Sequence, residues 1–387
     1  MQRIYLDNAA TTPVCNEVVQ LMADTLREVY GNPSSIHSEG RKARTVIEQA
    51  RKTVANYLNC SIGEIFFTSG GTESNNTALR CSVRDLGVKR IITSKIEHHC
   101  ILHTLGSLEK ENAITVEYVQ LQASGETDYE HLRSLLEQGD EKTLVSIMHS
   151  NNEIGVINNI QKIADLCEEA GAFFHTDTVQ TIGFRPFDLN KTKVSFLSGS
   201  AHKFYGPKGV GFLYINGNQK INPLLEGGSQ ERNMRAGTEN IYGIAGLAKA
   251  LELANEEMKE RIQQLANLKN HFIDKVKSIP GVSFNGLESQ EQMEKVLSIN
   301  FPASDKSDLL LLHLDMAGIS ASGGSACSSG SDIGSHVMQE LSAKPLGKTI
   351  RFSFSHKNTI EEIDYVIGKL EELYPQAEVQ KEIKITQ

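Results

Sequence analysis

No stretch of the sequence approaches the roughly 18 consecutive apolar residues a membrane-spanning helix needs. The opening residues, MQRIYLDNAATTP, lack the apolar core of a secretory signal. Membrane insertion and export are therefore not expected, and a cytoplasmic location is. The six cysteines, at 15, 60, 81, 100, 167 and 327, include no C-x-x-C pair. That excludes the usual zinc ribbon and thioredoxin-like spacings, and a chain without an export signal is not expected to form disulfides. Basic residues are in deficit, 39 against 48 acidic, for a net charge of −9. Long-range attraction to nucleic acid or an anionic membrane is not expected of such a chain. Internal repeats and long low-complexity segments are also missing. Glycine and proline are absent from Leu247 to Ile279, a stretch rich in Ala, Leu, Glu, Lys and Gln. It is expected to form one long helix, ended by Pro280-Gly281.

What is present is an enzyme-sized chain. Its 387 residues, 39% apolar and 22% charged, exclude bulk disorder and give a prior of two or three domains. Short apolar runs alternate with amphipathic stretches: EIFFTSG, then a helix over 72–87; RIITSKI, then a helix from about His98; ITVEYV, then DYEHLRSLLEQG; TLVSIMH, then NIQKIADLCEEAG, with Gly171 as its C′ residue. AFFHTDTVQ, VSFLSGSAHK and GVGFLYI follow. This alternation predicts an α/β fold with a mostly parallel sheet, whose ligands bind beyond the C-terminal strand ends. After Pro280 shorter units (VLSINF, DLLLLHLDMAG, TIRFSFS, TIEEIDYVIGKLEELY) predict a smaller α+β domain.

Several polar motifs fall at predicted strand ends. SGGTESNN (69–76) enters a helix through Gly-Gly, so backbone N–H groups and the positive end of the helix dipole could cradle a phosphate; the plainer reading is a loop capped by Thr72. Asp177 in HTDTVQ ends an apolar run, and a buried carboxylate needs a cationic partner: a metal, an arginine or a protonated heterocycle. His175 and Asp177 are expected on opposite strand faces, against a shared metal. Lys203 in SGSAHKFYGPKGVG, if desolvated, is a nucleophile toward an aldehyde; the plainer reading is a surface lysine. Cys327 sits in SASGGSACSSGS, where nothing but Ser, Gly, Ala and Cys surrounds it. At the usual thiol pKa only about 3% is thiolate at pH 7, and lowering it by one unit gives roughly a quarter. The other five cysteines read as ordinary small apolar residues. In EHHCILH, His99 and His103 share a helix face and His98 does not, and no second ligand pair completes a metal site. Arg351 in TIRFSFS could grip a carboxylate in a fork.

The ordered set YLDNAATTP, GGTESNN, EHH, HSNNEIG, HTDTVQ, SGSAHKFYGPKGVG, MRAGT, SGSACSSGS and IRFS closely resembles the NifS/IscS-type cysteine desulfurases, fold-type I (class V) enzymes dependent on pyridoxal 5′-phosphate. The resemblance covers nearly the whole chain. It implies a seven-stranded, mostly parallel sheet in a large cofactor-binding domain over 15–255, and a smaller domain from 1–14 and 256–387. It implies that Lys203 binds the cofactor aldehyde and shuttles protons, that Asp177 pairs with the ring nitrogen, and that His98 stacks on the ring. Gln180 would bond the ring hydroxyl. Gly71, Thr72, Ser200 and His202 would hold the phosphate, joined by the partner subunit's Thr238 in a homodimer. Asn152 would serve cofactor and substrate, Arg351 the carboxylate of L-cysteine, and Cys327 would take the sulfur as a persulfide. The sulfur would pass to an acceptor protein, for Fe–S cluster assembly or tRNA thiolation, with no metal in the cofactor site. A selenocysteine lyase or another class V enzyme is the alternative; an aminotransferase has no use for Cys327, and a non-catalytic sulfur carrier has none for Lys203, Asp177 and His98. Three departures stand out: His356 follows IRFSFS where that pattern usually has Arg, the stretch between Cys327 and Arg351 is somewhat compact, and EVQKEIKITQ lacks the extended ending toward a scaffold protein.

Overall fold

The computed structural model describes residues 3–304, 307–323, 335–341 and 347–374. Twelve strands are seen among them: β1 (Ile4–Tyr5), β2 (Ile65–Thr68), β3 (Arg90–Thr93), β4 (Thr115–Tyr118), β5 (Thr143–Ser146), β6 (Phe173–Asp177), β7 (Phe196–Ser200), β8 (Gly211–Ile215), β9 (Ser283–Asn285), β10 (Val296–Phe301), β11 (Ile319–Ser320) and β12 (Lys348–Ser353). The helices are α1 (Asn16–Glu28), α2 (Ser38–Leu58), α3 (Gly71–Asp85), α4 (His99–Lys110), α5 (Tyr129–Leu136), α6 (Ile160–Ala170), the single turn α7 (Gln230–Asn233), α8 (Ile241–Glu256), α9 (Met258–Val276), α10 (Leu310–Met316), α11 (His336–Glu340) and α12 (Ile360–Leu373). None is long and apolar enough to cross a membrane.

Seven strands form one sheet in the order β2-β8-β7-β6-β5-β3-β4. β3 to β7 run parallel, and β8 is antiparallel to both its neighbours. The central strands are buried on both faces, which is why they read as continuous apolar runs rather than alternating ones. The helices between them follow from local chemistry. In α6 the Asn159 side chain accepts from the Lys162 N–H at 3.0 Å, Ile163, Ala164, Leu166 and Cys167 face the core, and Gly171 ends the helix at φ 65°. A second sheet, antiparallel β12-β10-β9, is covered by α9 and α12; Phe272 of α9 meets Phe352 and Phe354 at ring-centroid distances of 4.8 and 5.8 Å.

The amino-terminal segment crosses between the two sheets. β1 pairs in parallel with β11, Ala9 donates to Ser353 Oγ at 2.8 Å, and Thr12 N–H donates to the His202 carbonyl at 2.9 Å.

The single long helix expected over 247–279 is corrected. α8 and α9 are separate, with Glu257 between them at φ −99°, ψ 7°. Propensity alone would carry the helix through. The packing does not: α8 lies against α1 and α2, whereas α9 lies against α12.

Candidate active site

The C-terminal ends of β2, β6 and β7, with the segments following β3 and β5, open on one cavity of about 270 Å³. Its wall includes Gly71, Thr72, His98, Asn152, Asp177, Gln180, Ser200, His202, Lys203 and Arg351. Ten of the twelve residues expected to form the site are thus brought together. Thr238 lines a separate cleft of about 230 Å³ beside Ser69, Arg235 and Asn240. Cys327 lies outside the described residues.

Gly71 begins α3, and Gly70, the residue before it, offers no side-chain cap. The plainer reading, in which Thr72 caps the helix, is therefore corrected: Thr72 is inside the first turn. The helix end is aimed at the cavity with backbone donors and a positive dipole. A Cβ on Gly71 would lie 2.6 Å from Val179 Cγ2, so the backbone and this wall approach as only glycine permits.

Asp177 ends β6 and is 8% exposed. Its Oδ1 accepts from the Val179 N–H at 2.9 Å and its Oδ2 from Asn75 Nδ2 at 2.7 Å. The expected divergence of His175 and Asp177 is corrected. Two residues apart on a strand they share a face, and both meet Asn75, His175 through Nε2 at 3.2 Å from Asn75 Oδ1.

Lys203 sits in the 3₁₀ turn Ala201–Lys203 after β7. It is half-buried, with Nζ donating to the carbonyls of Ala9 and Ala10 at 2.7 and 2.8 Å, so it is not a surface lysine; Lys208 is the exposed one. Burial and the charges of Lys203, Lys208 and Lys295 push His202 down to about 4, which keeps it neutral. His98 precedes α4 and caps it, Nδ1 accepting from the Cys100 N–H at 3.2 Å. Burial lowers its pKa, Asp177 opposes this, and Lys203, His336 and His103 reinforce it. His99 and His103 do share a helix face, their ring centroids 5.1 Å apart. No cluster fit to hold a metal occurs among the described residues.

Arg351 is 1% exposed, not a surface cation. Its Nη2 donates to Asp7 Oδ1 and its Nη1 to the Asn152 carbonyl, each at 2.8 Å. Its backbone pairs with Ser322, five residues before Cys327.

Sequence reasoning missed four participants. Asp7 orients Arg351. Asn75 bridges Asp177 and Cys100. Glu153 lines the wall, its carboxyl pushed up by burial against the opposing Ser335, His336 and Arg351. Cys100 is not an ordinary core cysteine: it lines the cavity with Sγ 3.0 Å from His98 Nδ1. The spacing of Gly71 and Asn75, i and i+4 on a helix, was the available signal for Asn75.

Residues 4–366 match the Aminotransferase class-V family. The chain belongs to that family. It is 45% identical over 378 residues to a cysteine desulfurase IscS of Dictyoglomus turgidum, covering 96% of this chain and 94% of that one. Among solved structures, a NifS-like protein superposes with a TM-score of 0.89 at 36% identity, over 96% of this chain and 99% of that one. SspA in complex with cysteine does so with a TM-score of 0.81 at 31% identity, over 92% of this chain and all of that one (100%).

The class-V family and its cysteine desulfurases depend on pyridoxal 5′-phosphate. The residues present fit that cofactor. A buried carboxylate for a ring nitrogen, a helix end for a phosphate and a lysine amine for an aldehyde face one cavity. The Gln180 Oε1 on the wall is buried without a hydrogen-bond partner among the described residues.

Proposed function

We propose that this chain is a cysteine desulfurase, converting L-cysteine to L-alanine with the sulfur left as a persulfide on Cys327. The observation that carries the reading is the convergence of Lys203, Asp177, His98 and Arg351 on one cavity. Lys203 would hold the cofactor through Nζ and could return a proton at that nitrogen. Asp177 would keep the ring nitrogen protonated, Gln180 would meet the ring hydroxyl, and Gly71, Thr72, Ser200 and His202 would hold the phosphate, with Asn152 also beside the cofactor. Bound there, pyridoxal phosphate supplies the electron sink that makes the substrate Cα proton removable and weakens the Cβ–S bond. Arg351, already oriented by Asp7, grips the substrate carboxylate with Asn152, which fixes where Cα and sulfur lie. His98 is kept neutral by burial, so its imidazole can stack on the ring without adding a charge and assist proton transfer beside it. The Cys327 thiolate attacks the substrate sulfur. The S–S bond forms as Cβ–S breaks, the electron pair stays with carbon, and carbon takes a proton. No outside oxidant is needed.

We further propose a cytoplasmic homodimer in which the partner subunit's Thr238 completes the phosphate site. Support comes from Thr238 lining a cleft apart from the cavity, and from the exposed Leu26, Tyr30 and Ile36 on and just after α1. The division into 15–255 and 1–14 plus 256–387 is proposed with it, supported by the separation of α8 from α9. A protein acceptor for the sulfur, serving Fe–S assembly or tRNA thiolation, belongs to the same reading.

The deciding experiment assays alanine and sulfide together, with L-cysteine and a reductant. Wild type should form both. Cys327→Ala should keep the cofactor's visible band and form no sulfide; full sulfide release by that variant sinks the assignment of the nucleophile. Borohydride should abolish the wild-type band, and Lys203→Ala should lack its borohydride sensitivity.

A further inference from the structure

A hydrogen-bonded chain runs from buried His175 into the cavity wall and along it to His98. It begins at His175, which is fully buried and pushed down to about 3 by that burial, so its ring is neutral. Asn75 Oδ1, which can only accept, lies 3.2 Å from His175 Nε2, so the Nε2–H is the donor. Nδ1 is then the acceptor, and the Ser146 hydroxyl lies 2.9 Å from it. The Nε2–H bond orients the Asn75 amide, which is itself fully buried. Its Nδ2 points the other way, with one proton toward Asp177 Oδ2 at 2.7 Å and one toward Cys100 Sγ at 3.2 Å. The Cys100 thiol is pushed up to about 12, first by burial and then by Asp177, so it keeps its proton. Its Sγ is 3.0 Å from His98 Nδ1, and the Cys100 backbone N–H points at the same nitrogen from 3.2 Å. Two donors aimed at one ring nitrogen leave it no room for a proton. The proton of neutral His98 must therefore sit on Nε2.

We propose that Asn75 and Cys100 are positioning residues: Asn75 ties the Asp177 carboxylate to the Cys100 thiol, and the thiol holds His98 neutral in its Nε2–H tautomer. Neither side chain needs to touch the substrate. One fixed amide sets both the carboxylate that faces the ring nitrogen and the imidazole that faces the ring. The groups facing His98 are Asp177 at the end of β6, Lys203 after β7, His336 of α11, and His103 with neighbouring His99 of α4, Glu97 preceding it. Glu97 is fully buried with its carboxyl pushed well up by that burial, so it adds no charge; of these groups only Asp177 favours the charged imidazole, and the thiol works against it.

The kinetic arm of the test rests on the desulfurase reading; the spectroscopic arm does not. In the cofactor-free wild type, nitrogen NMR of histidine-labelled protein, assigned through His98→Gln, should show His98 unprotonated at Nδ1 and protonated at Nε2. A proton on Nδ1 overturns the proposal. In the holoenzyme, removing the thiol donor stabilises the neutral ring less, so the His98 pKa rises. Cys100→Ala should then move the acidic limb of the kcat/KM profile up by about half a pH unit, the worth of one weak donor. Cys100→Ser, which keeps a donor, should restore the wild-type limb. Overlaid profiles for Cys100→Ala and wild type, or a Cys100→Ser profile that follows Cys100→Ala, overturn the proposal. Asn75→Asp exchanges the donor for a second carboxylate facing Asp177, and should weaken pyridoxal phosphate retention on dilution by tenfold or more; unchanged retention overturns the Asn75 half. Should wild type make no alanine from L-cysteine, the functional reading fails while the NMR result still decides the tautomer.

Discussion

At the scale of single residues, the cavity's neighbourhood contains a group that costs stability. Lys295 is 1% exposed, its Nζ has no hydrogen-bond partner among the described residues, and it lies 3.8 Å from the centre of the Phe184 ring. The ring favours the ammonium form. Complete burial favours the amine, reinforced by Lys203, Arg185 and Arg351, and the amine's pKa falls far below its usual value. Burial wins because a single aromatic face does not replace a lost hydration shell. Below about pH 10.4 the unfolded chain binds a proton at this amine, and the folded chain resists it. Folding stability at this site therefore decreases as the pH falls from 10 through neutrality. Lys295→Met should melt a few degrees higher than wild type at pH 7, with a smaller gain at pH 9.5, as followed by calorimetry. A lower melting temperature at pH 7 would show that the ammonium is satisfied after all. Lys295 also shows what sequence hides: nothing in QEQMEKVLSINF separates a buried lysine from its exposed neighbours. Lys203 and Asp177 were legible because the flanking residues are small or apolar and the resemblance gave each a role.

At the scale of elements, the start of α3 was legible and its uncapped form was not. Gly-Gly before a run of helix formers marks the boundary, but whether Thr72 caps the helix or sits inside its first turn depends on how Gly71 packs against Val179, just after β6, and Ser200, at the end of β7. Gly71→Ala should leave the helix intact, as alanine favours it. Its methyl group, however, would press on Val179 where the phosphate is expected to dock. Overpacking of this kind costs about 1–3 kcal/mol. The dissociation constant for pyridoxal phosphate, titrated by absorbance, should rise about tenfold or more; an unchanged constant would place the anion elsewhere. The α8–α9 break is the opposite case. With no glycine or proline to mark it, Glu257 is visible as a hinge only once each helix has its own packing partner. Gly171 of α6, by contrast, was readable as a C′ residue, because a left-handed terminal residue is a local requirement that glycine meets.

At the scale of the whole molecule, the amino-terminal segment decides whether the site is complete. The mostly parallel sheet followed from β/α alternation, and the gathering of ten expected residues from an ordered set of motifs; the strand order did not. The role of YLDNAATTP did not either, since its long-range partners lie 171 to 353 positions away. Asp7 holds Arg351 of β12, with the two side chains 20% and 2% exposed. Asp7→Asn should weaken that grip, raising KM for L-cysteine about tenfold with a smaller change in kcat, as expected when ground-state binding is lost. Asp7→Glu should recover part of it in steady-state assays. An equal fall in kcat at constant KM would mean that Asp7 acts on the chemistry and not on substrate capture. The same segment offers the carbonyls of Ala9 and Ala10 to Lys203 Nζ. They form a berth for that nitrogen, so the few residues after β1 seat the amine at one end of the cavity and, through Asp7, aim the guanidinium at the other, and a shift of this short stretch would disturb both at once.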